Sequence, residues 1–127
     1  MEINNPVVLS EVHAAFGAYE RALMSNDLGA LDALFWASPQ AVRYGPCECL
    51  YGQEEIAAFR RGRPGGSPQR TLTRTVITTF GSDFATANTE FVREDAAHIG
   101  RQSHAWARLP QGWRIVAAHV SMLGAGQ

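Results

Sequence analysis

Two residues in the first half of this chain carry chemistry that their surroundings do not explain. Tyr19 falls on an apolar stripe with Val12, Phe16 and Leu23, so its hydroxyl points inward with them and needs a partner once buried. Arg43 sits in a short β-rich run, Ala41 to Gly45, on the face opposite Val42 and Tyr44. A buried guanidinium without an anion is costly, so Arg43 demands either a protein carboxylate or the carboxylate of a ligand. A core tyrosine bonded to a backbone carbonyl and a structural ion pair are the competing readings. The chain has no G-x-S-x-G elbow, no phosphate loop and no metal-ligand cluster. Cys47 and Cys49 form a C-x-C pair that nothing nearby completes, so they read as free thiols and no metal is expected. All 11 basic residues are arginine, which closes the Schiff-base branch of carbonyl chemistry. Any catalysis here runs without a cofactor, on an acid, a cation and a shaped, dry pocket.

Residues 70–121 could supply the wall of such a pocket. They read as four strands joined by short turns. A two-residue turn that pairs Phe80 with Asp83 sets Thr75 opposite Asn88 and Thr73 opposite Glu90. Pairing Leu109 with Gly112 sets Ser103 opposite Ala118 and Arg101 opposite Val120. Pairing Arg93 with His98 sets Glu90 opposite Arg101 and Asn88 opposite Ser103. One face then carries Thr71, Thr73, Thr75, Asn88, Glu90, Arg101 and Ser103. The other carries Leu72, Val76, Phe80, Phe91, Trp106, Trp113 and Ile115, with His104 and His119 beside the tryptophans. The polar face either lines a pocket or meets water, and register does not choose between them. The greasy face has no chain left to cover it and is a candidate dimer interface, which makes its two histidines interface residues. In this register Arg101 takes Glu90, which leaves Arg43 free to hold a substrate carboxylate.

The elements that must position these residues follow from periodicity. Ser10 is expected to cap a helix running to about Met24, and Ser25-Asn26-Asp27 breaks and recaps the chain. A short second helix points Leu28, Leu31, Leu34 and Phe35 inward. Two short strands, Ala41 to Gly45 and Cys47 to Tyr51, precede a third helix, QEEIAAFRRG, whose acidic start and basic end suit its dipole. Arg63 to Pro68 is a flexible connector or a lid. Helices first and a meander after predict an α+β fold, and 127 residues suit one domain, 1–127, with a real core. A net charge of −1 offers nothing to nucleic acid or to an anionic membrane surface. No apolar run reaches membrane-spanning length. MEINNPVV is not expected to be a signal peptide, so the expected location is cytoplasmic.

The stripe FGAYERAL, the segment LDALFWASPQAVRYG, the helix YGQEEIAAFR, the run TRTVITTFGSDFATANTEF and the ending GRQSHAWARLPQGWRIVAAHVS together resemble the nuclear-transport-factor-2-like (SnoaL-like) superfamily. They are most similar to its AtzH-like and HpxZ-like branch, associated with cyanuric acid and oxalurate catabolism. The resemblance covers about Ile3 to Met122. It implies a cone-shaped barrel of a curved antiparallel sheet, closed by N-terminal helices around a central cavity. It also implies oligomers built through the outer face of the sheet, a homodimer or homotetramer. The activity it implies is cofactor-independent decarboxylation of 1,3-dicarboxyurea, a small anionic urea-type substrate. Its tyrosine and arginine match Tyr19 and Arg43. Tyr19 would then donate the proton and Arg43 anchor a carboxylate, with Thr75, Asn88, Glu90 and Ser103 binding substrate on the cavity side of the sheet. Two other readings remain open. One is a different cofactor-free isomerase or hydrolase with Glu90 as base. The other is a non-catalytic protein that binds a small acid or accompanies an amidohydrolase.

Overall fold

Asn5 and Pro6 start the first helix. In the computed structural model, which describes residues 1–124, α1 spans Pro6–Ser25. The Asn5 side chain accepts hydrogen bonds from the Val7 and Val8 amides, and Pro6 opens the helix where a missing N–H costs nothing. Ser10, expected as the cap, is instead an exposed residue inside α1. The helix stops where Asn26 turns left-handed (φ 52°), and Asp27 caps α2, Leu28–Leu34, by accepting from the Ala30 amide. α3 spans Gln53–Arg61 with Glu54 and Glu55 in its first turn, as the dipole favours. Among the described residues no helix is long and apolar enough to cross a membrane.

The strands are β1 (Val42–Tyr44), β2 (Cys49–Tyr51), β3 (Arg70–Phe80), β4 (Phe84–Arg93), β5 (Ile99–Leu109) and β6 (Gly112–Met122). They form a single sheet in the order β2-β1-β6-β5-β4-β3. The α+β cone is as expected, with a curved sheet wrapped on the helices. It differs in one respect: β1 runs parallel to β6, so the sheet is mixed and open rather than a closed antiparallel barrel.

The register of the strands departs from the expected one at two places. Asn88 pairs with Ser103 and Glu90 with Arg101, as expected. The β3–β4 loop, however, holds three residues, because Phe80 pairs with Phe84 and Gly81 takes φ 63°. Val76 therefore faces Asn88 where Thr75 was expected, and Arg74 faces Glu90 where Thr73 was. A bulge at Thr73 restores the expected pairing of Leu72 with Phe91. In β6 a second bulge leaves Val116 unpaired, so Ser103 faces His119 and Arg101 faces Ser121. That bulge also turns His119 away from the face that Trp113 and Ile115 occupy.

The inner face is the opposite of the one expected. Phe91, Trp106 and Ile115 are fully buried and Trp113 nearly so, and the tryptophans and Ile115 pack with Val12, Phe16, Tyr19 and Leu31 from the helices. Asn88, Arg101 and Ser103 are exposed on the outer face, and Glu90 is half-buried there. The energetics leave little choice. Burying a large apolar side chain is worth about 1.5–3 kcal/mol, whereas burying an unpaired polar group costs about 2–7 kcal/mol and a charge more. The expectation that no chain remained to cover the greasy face fails because the sheet curls around α1. Trp113 Nε1 donates to Glu11 Oε1 at 2.9 Å across that contact. Trp106, Trp113 and His104 are therefore core residues of one chain and not a dimer interface.

Candidate active site

Tyr19 projects from α1 to the middle of the inner face and is 2% exposed. Four elements bring groups to it. From α3, Arg60 Nη2 donates to the Tyr19 hydroxyl at 3.3 Å, and its guanidinium lies 5.2 Å from the Phe35 ring centre. The sequence placed Arg60 at a helix end for its charge. It is in fact on the buried stripe of α3 with Ile56 and Ala57, a helical spacing that could have flagged it. From β5, His104 sets its ring edge-on to Tyr19, with centroids 4.7 Å apart, and Gln102 lies on the same face of the strand. From β3, Arg70 reaches inward onto Phe91, while β1 contributes Arg43, 7% exposed.

Two of these arginines are neutralised by protein. Arg70 holds Glu20 through Nε (3.0 Å) and Nη2 (2.6 Å), and also donates to Gln102 Oε1 at 3.0 Å. Arg43 Nη1 donates to Glu48 Oε1 at 3.1 Å, and its guanidinium lies over Phe59. The expectation that Arg43 is left free for a ligand is not met, because Glu48, five residues on, is folded back to it by the β1–β2 turn. Arg60 and Arg63 make no ion pair with a carboxylate among the described residues. The interior therefore carries more positive than negative charge.

That surplus sets the protonation of the site. Burial pushes the Tyr19 phenol up, but Arg60, Arg43 and Arg70 together outweigh it and hold the pKa below the ordinary tyrosine value. His104 goes down to about 3, through burial first and then through Arg70, Arg60 and Arg43. Its imidazole is neutral at physiological pH and is no proton donor in the imidazolium sense. Neither of its ring nitrogens has a hydrogen-bond partner among the described residues, and neither do Arg60 Nε and Gln102 Nε2. Native proteins seldom leave such buried groups unpaired.

Of the residues the sequence nominated, the structure brings together Tyr19 and Arg43 on the inner side. It does not bring the other four to them. Asn88 Oδ1 accepts from the Ser103 hydroxyl at 2.7 Å on the outer face, and Glu90 lies beside Arg101 there. Thr75 stands at the exposed margin of edge strand β3, its hydroxyl 2.7 Å from that of Thr89. Asn88, Glu90 and Ser103 thus lie on the outer face, away from Tyr19 and not on the cavity side where they were expected, while Thr75 stands at the sheet edge against Thr89. The residues missed were Arg60, Gln102, His104 and Arg70, all on or against the apolar face that was assigned outward. Among the described residues no group of three or more His, Cys, Asp and Glu side chains could hold a metal ion.

A helix-wrapping curved sheet with a polar cluster at the centre of its inner face defines a nuclear-transport-factor-2-like cone. The chain belongs to the AtzH-like family, whose model matches residues 1–126. It is similar to a protein of unknown function of the DUF3225 family from Pectobacterium atrosepticum, at 53% identity and TM-score 0.93, over 96% of this chain and 95% of that one. A cystatin-like fold protein from Burkholderia xenovorans is 52% identical with TM-score 0.92, over 98% of each chain. A nuclear-transport-factor-2-like superfamily protein from Salmonella enterica is 28% identical with TM-score 0.76, over 95% of this chain and 96% of that one. No curated protein matches the chain.

Proposed function

We propose that this protein is a cofactor-independent decarboxylase of an N-carboxylated urea, with 1,3-dicarboxyurea as the substrate that best fits the family. The observation that carries the reading is the Tyr19 hydroxyl, buried, held by Arg60 and acidified by surrounding guanidinium groups. A carbamate loses CO2 readily only when its nitrogen gains a proton, because a neutral amine leaves far better than an amide anion. Tyr19 gives its proton to the carbamate nitrogen as the N–C bond breaks. The bonding pair goes to nitrogen, CO2 departs, and the phenolate recovers a proton from water. A lowered phenol pKa makes that transfer easier, and positioned acids contribute about 10²–10⁴-fold. The cationic interior favours a dianionic substrate over a neutral one. Arg43 keeps its place in this reading as a carboxylate anchor, with Glu48 holding its fork. Cytoplasmic residence suits two exposed free thiols, Cys47 and Cys49.

The test is CO2 release from freshly generated dicarboxyurea with and without the protein. Release no faster than the unassisted reaction would sink the decarboxylase reading. In that event saturable protection of the protein by the substrate would point to a small-acid-binding protein, the companion of an amidohydrolase, because a cationic interior binds an acid whether or not it turns it over.

A further inference from the structure

Arg60 is 7% exposed and reaches no carboxylate among the described residues, whereas its neighbours Arg43 and Arg70 are paired with Glu48 and Glu20. A desolvated guanidinium of this kind needs an anion, and bidentate recognition of a carboxylate is what its planar fork does best. Among the described residues its contacts use one nitrogen, Nη2 to the Tyr19 hydroxyl, and the faces of two aromatic rings. Nε is left buried and unpartnered. Tyr19 contacts both Arg60 and His104, and the two ring nitrogens of His104 are likewise unpartnered among the described residues, as is the amide nitrogen of Gln102 two residues earlier on β5. A narrow opening of about 10 Å³, with Leu31, Arg63 and Gly66 in its rim, reaches Arg60 from outside. That is room for about one water, so a carboxylate reaches Arg60 only if residues of this rim move.

We infer that Arg60 is the principal carboxylate-binding residue of this interior, with His104 and Gln102 completing a subsite for a small dicarboxylate beside the Tyr19 hydroxyl. Arg43, locked to Glu48, then serves as a secondary cation. The same guanidinium does two things: it holds the substrate anion and it acidifies the phenol. Tyr19 is faced by Arg60 from α3, Arg43 from β1, Arg70 from β3 and neutral His104 from β5, and Arg60 is the one in hydrogen-bond contact. The inference rests on the reading that the site takes a small dicarboxylate, but its test needs no turnover.

Malonate serves as the probe, in calorimetric titration of the folded protein. The background is Tyr44→Phe with Tyr51→Phe, which leaves Tyr19 as the last of the 3 tyrosines. Loss of a charged hydrogen-bonding partner is expected to weaken malonate binding at least about tenfold in Arg60→Gln, with a smaller loss in Arg43→Gln paired with Glu48→Gln. In the same Arg60→Gln protein the ultraviolet phenolate band of Tyr19 should appear at higher pH. Arg60→Lys keeps the charge and loses the fork, so it should weaken malonate while leaving the phenol acidified. It also decides the matter if Arg60→Gln does not fold. Wild-type protein that ignores malonate would overturn the inference. So would a folded Arg60→Gln or Arg60→Lys that binds it unchanged. Malonate binding lost with Arg60 in a protein that releases no CO2 would sink the decarboxylase and leave this subsite standing.

Discussion

Tyr19 separates a structural hydroxyl from a catalytic one. Among the described residues its one hydrogen bond comes from the Arg60 guanidinium, so Tyr19→Phe removes a charge-assisted interaction of about 1.5–3 kcal/mol and keeps the ring against His104 and Phe35. We expect folding to persist, followed by circular dichroism, and CO2 release to fall at least about tenfold. Full activity in Tyr19→Phe would dismiss the proton-donor role. His104 makes a different prediction. Its folded pKa of about 3 lies below the ordinary value of 6.5, so the unfolded chain binds more protons between those limits. Stability should be present in full above pH 6.5 and decline as pH falls towards 3. His104→Gln, which cannot titrate, should flatten that slope in a series of thermal melts. An equal slope in the variant would mean that His104 does not carry the acid sensitivity.

At the scale of elements, the β4–β5 pair holds the inner wall in place. Gly100 pairs with Phe91, and the Phe91 ring lies over it so closely that a Cβ there would meet ring atoms at 2.2 Å. On the ring's other neighbours, the Arg70 guanidinium sits 4.4 Å from its centre. Gly100→Ala must therefore displace Phe91, and with it the Arg70–Glu20–Gln102 group. Overpacking of this kind costs about 1–3 kcal/mol, which should show as a lowered denaturant midpoint. The same change at Gly81, where the loop is open but φ is 63°, tests backbone strain without a clash and should cost less. Equal losses at the two positions would mean that Phe91 is not fixed as described. Both bulges belong to this scale too. The one at Val116 decides that His119 meets Tyr44 edge-on outside, with ring centroids 5.6 Å apart.

At the scale of the molecule, the outer face is what remains for association. Tyr44, Val76, Phe84, Val92 and Ile99 are each more than a third exposed on it, around a groove of about 330 Å³ that includes Asn88, Ser103, Ala117 and His119. An apolar surface of this extent favours a second copy. We expect light scattering to report at least a dimer. Ala117→Arg, which places a charge in the groove, should yield a folded monomer. A wild-type monomer at micromolar concentration would rule the outer face out as an interface.

The sequence by itself determined the elements and one end of the site. Helical spacing put Tyr19 with Phe16 and Leu23, alternation put Arg43 opposite Val42 and Tyr44, and a pairing of Arg93 with His98 across the looser middle turn set Asn88 opposite Ser103. These are local facts, set by 3.6- and 2-residue periods and by short loops. Only the tertiary structure decided which side of the sheet faces in. That choice depends on which surface α1 covers, a contact between residues a hundred positions apart such as Glu11 and Trp113. The three-residue β3–β4 loop and the Val116 bulge each moved side chains by one position, and a one-position slip exchanges faces. The pairing of Arg43 with Glu48, and the inward turn of Arg60, likewise emerge only when α3 and the β1–β2 turn pack against the sheet. The chemistry of the interior follows from that packing, because a guanidinium becomes an anion site only where the fold excludes water and leaves it unpaired.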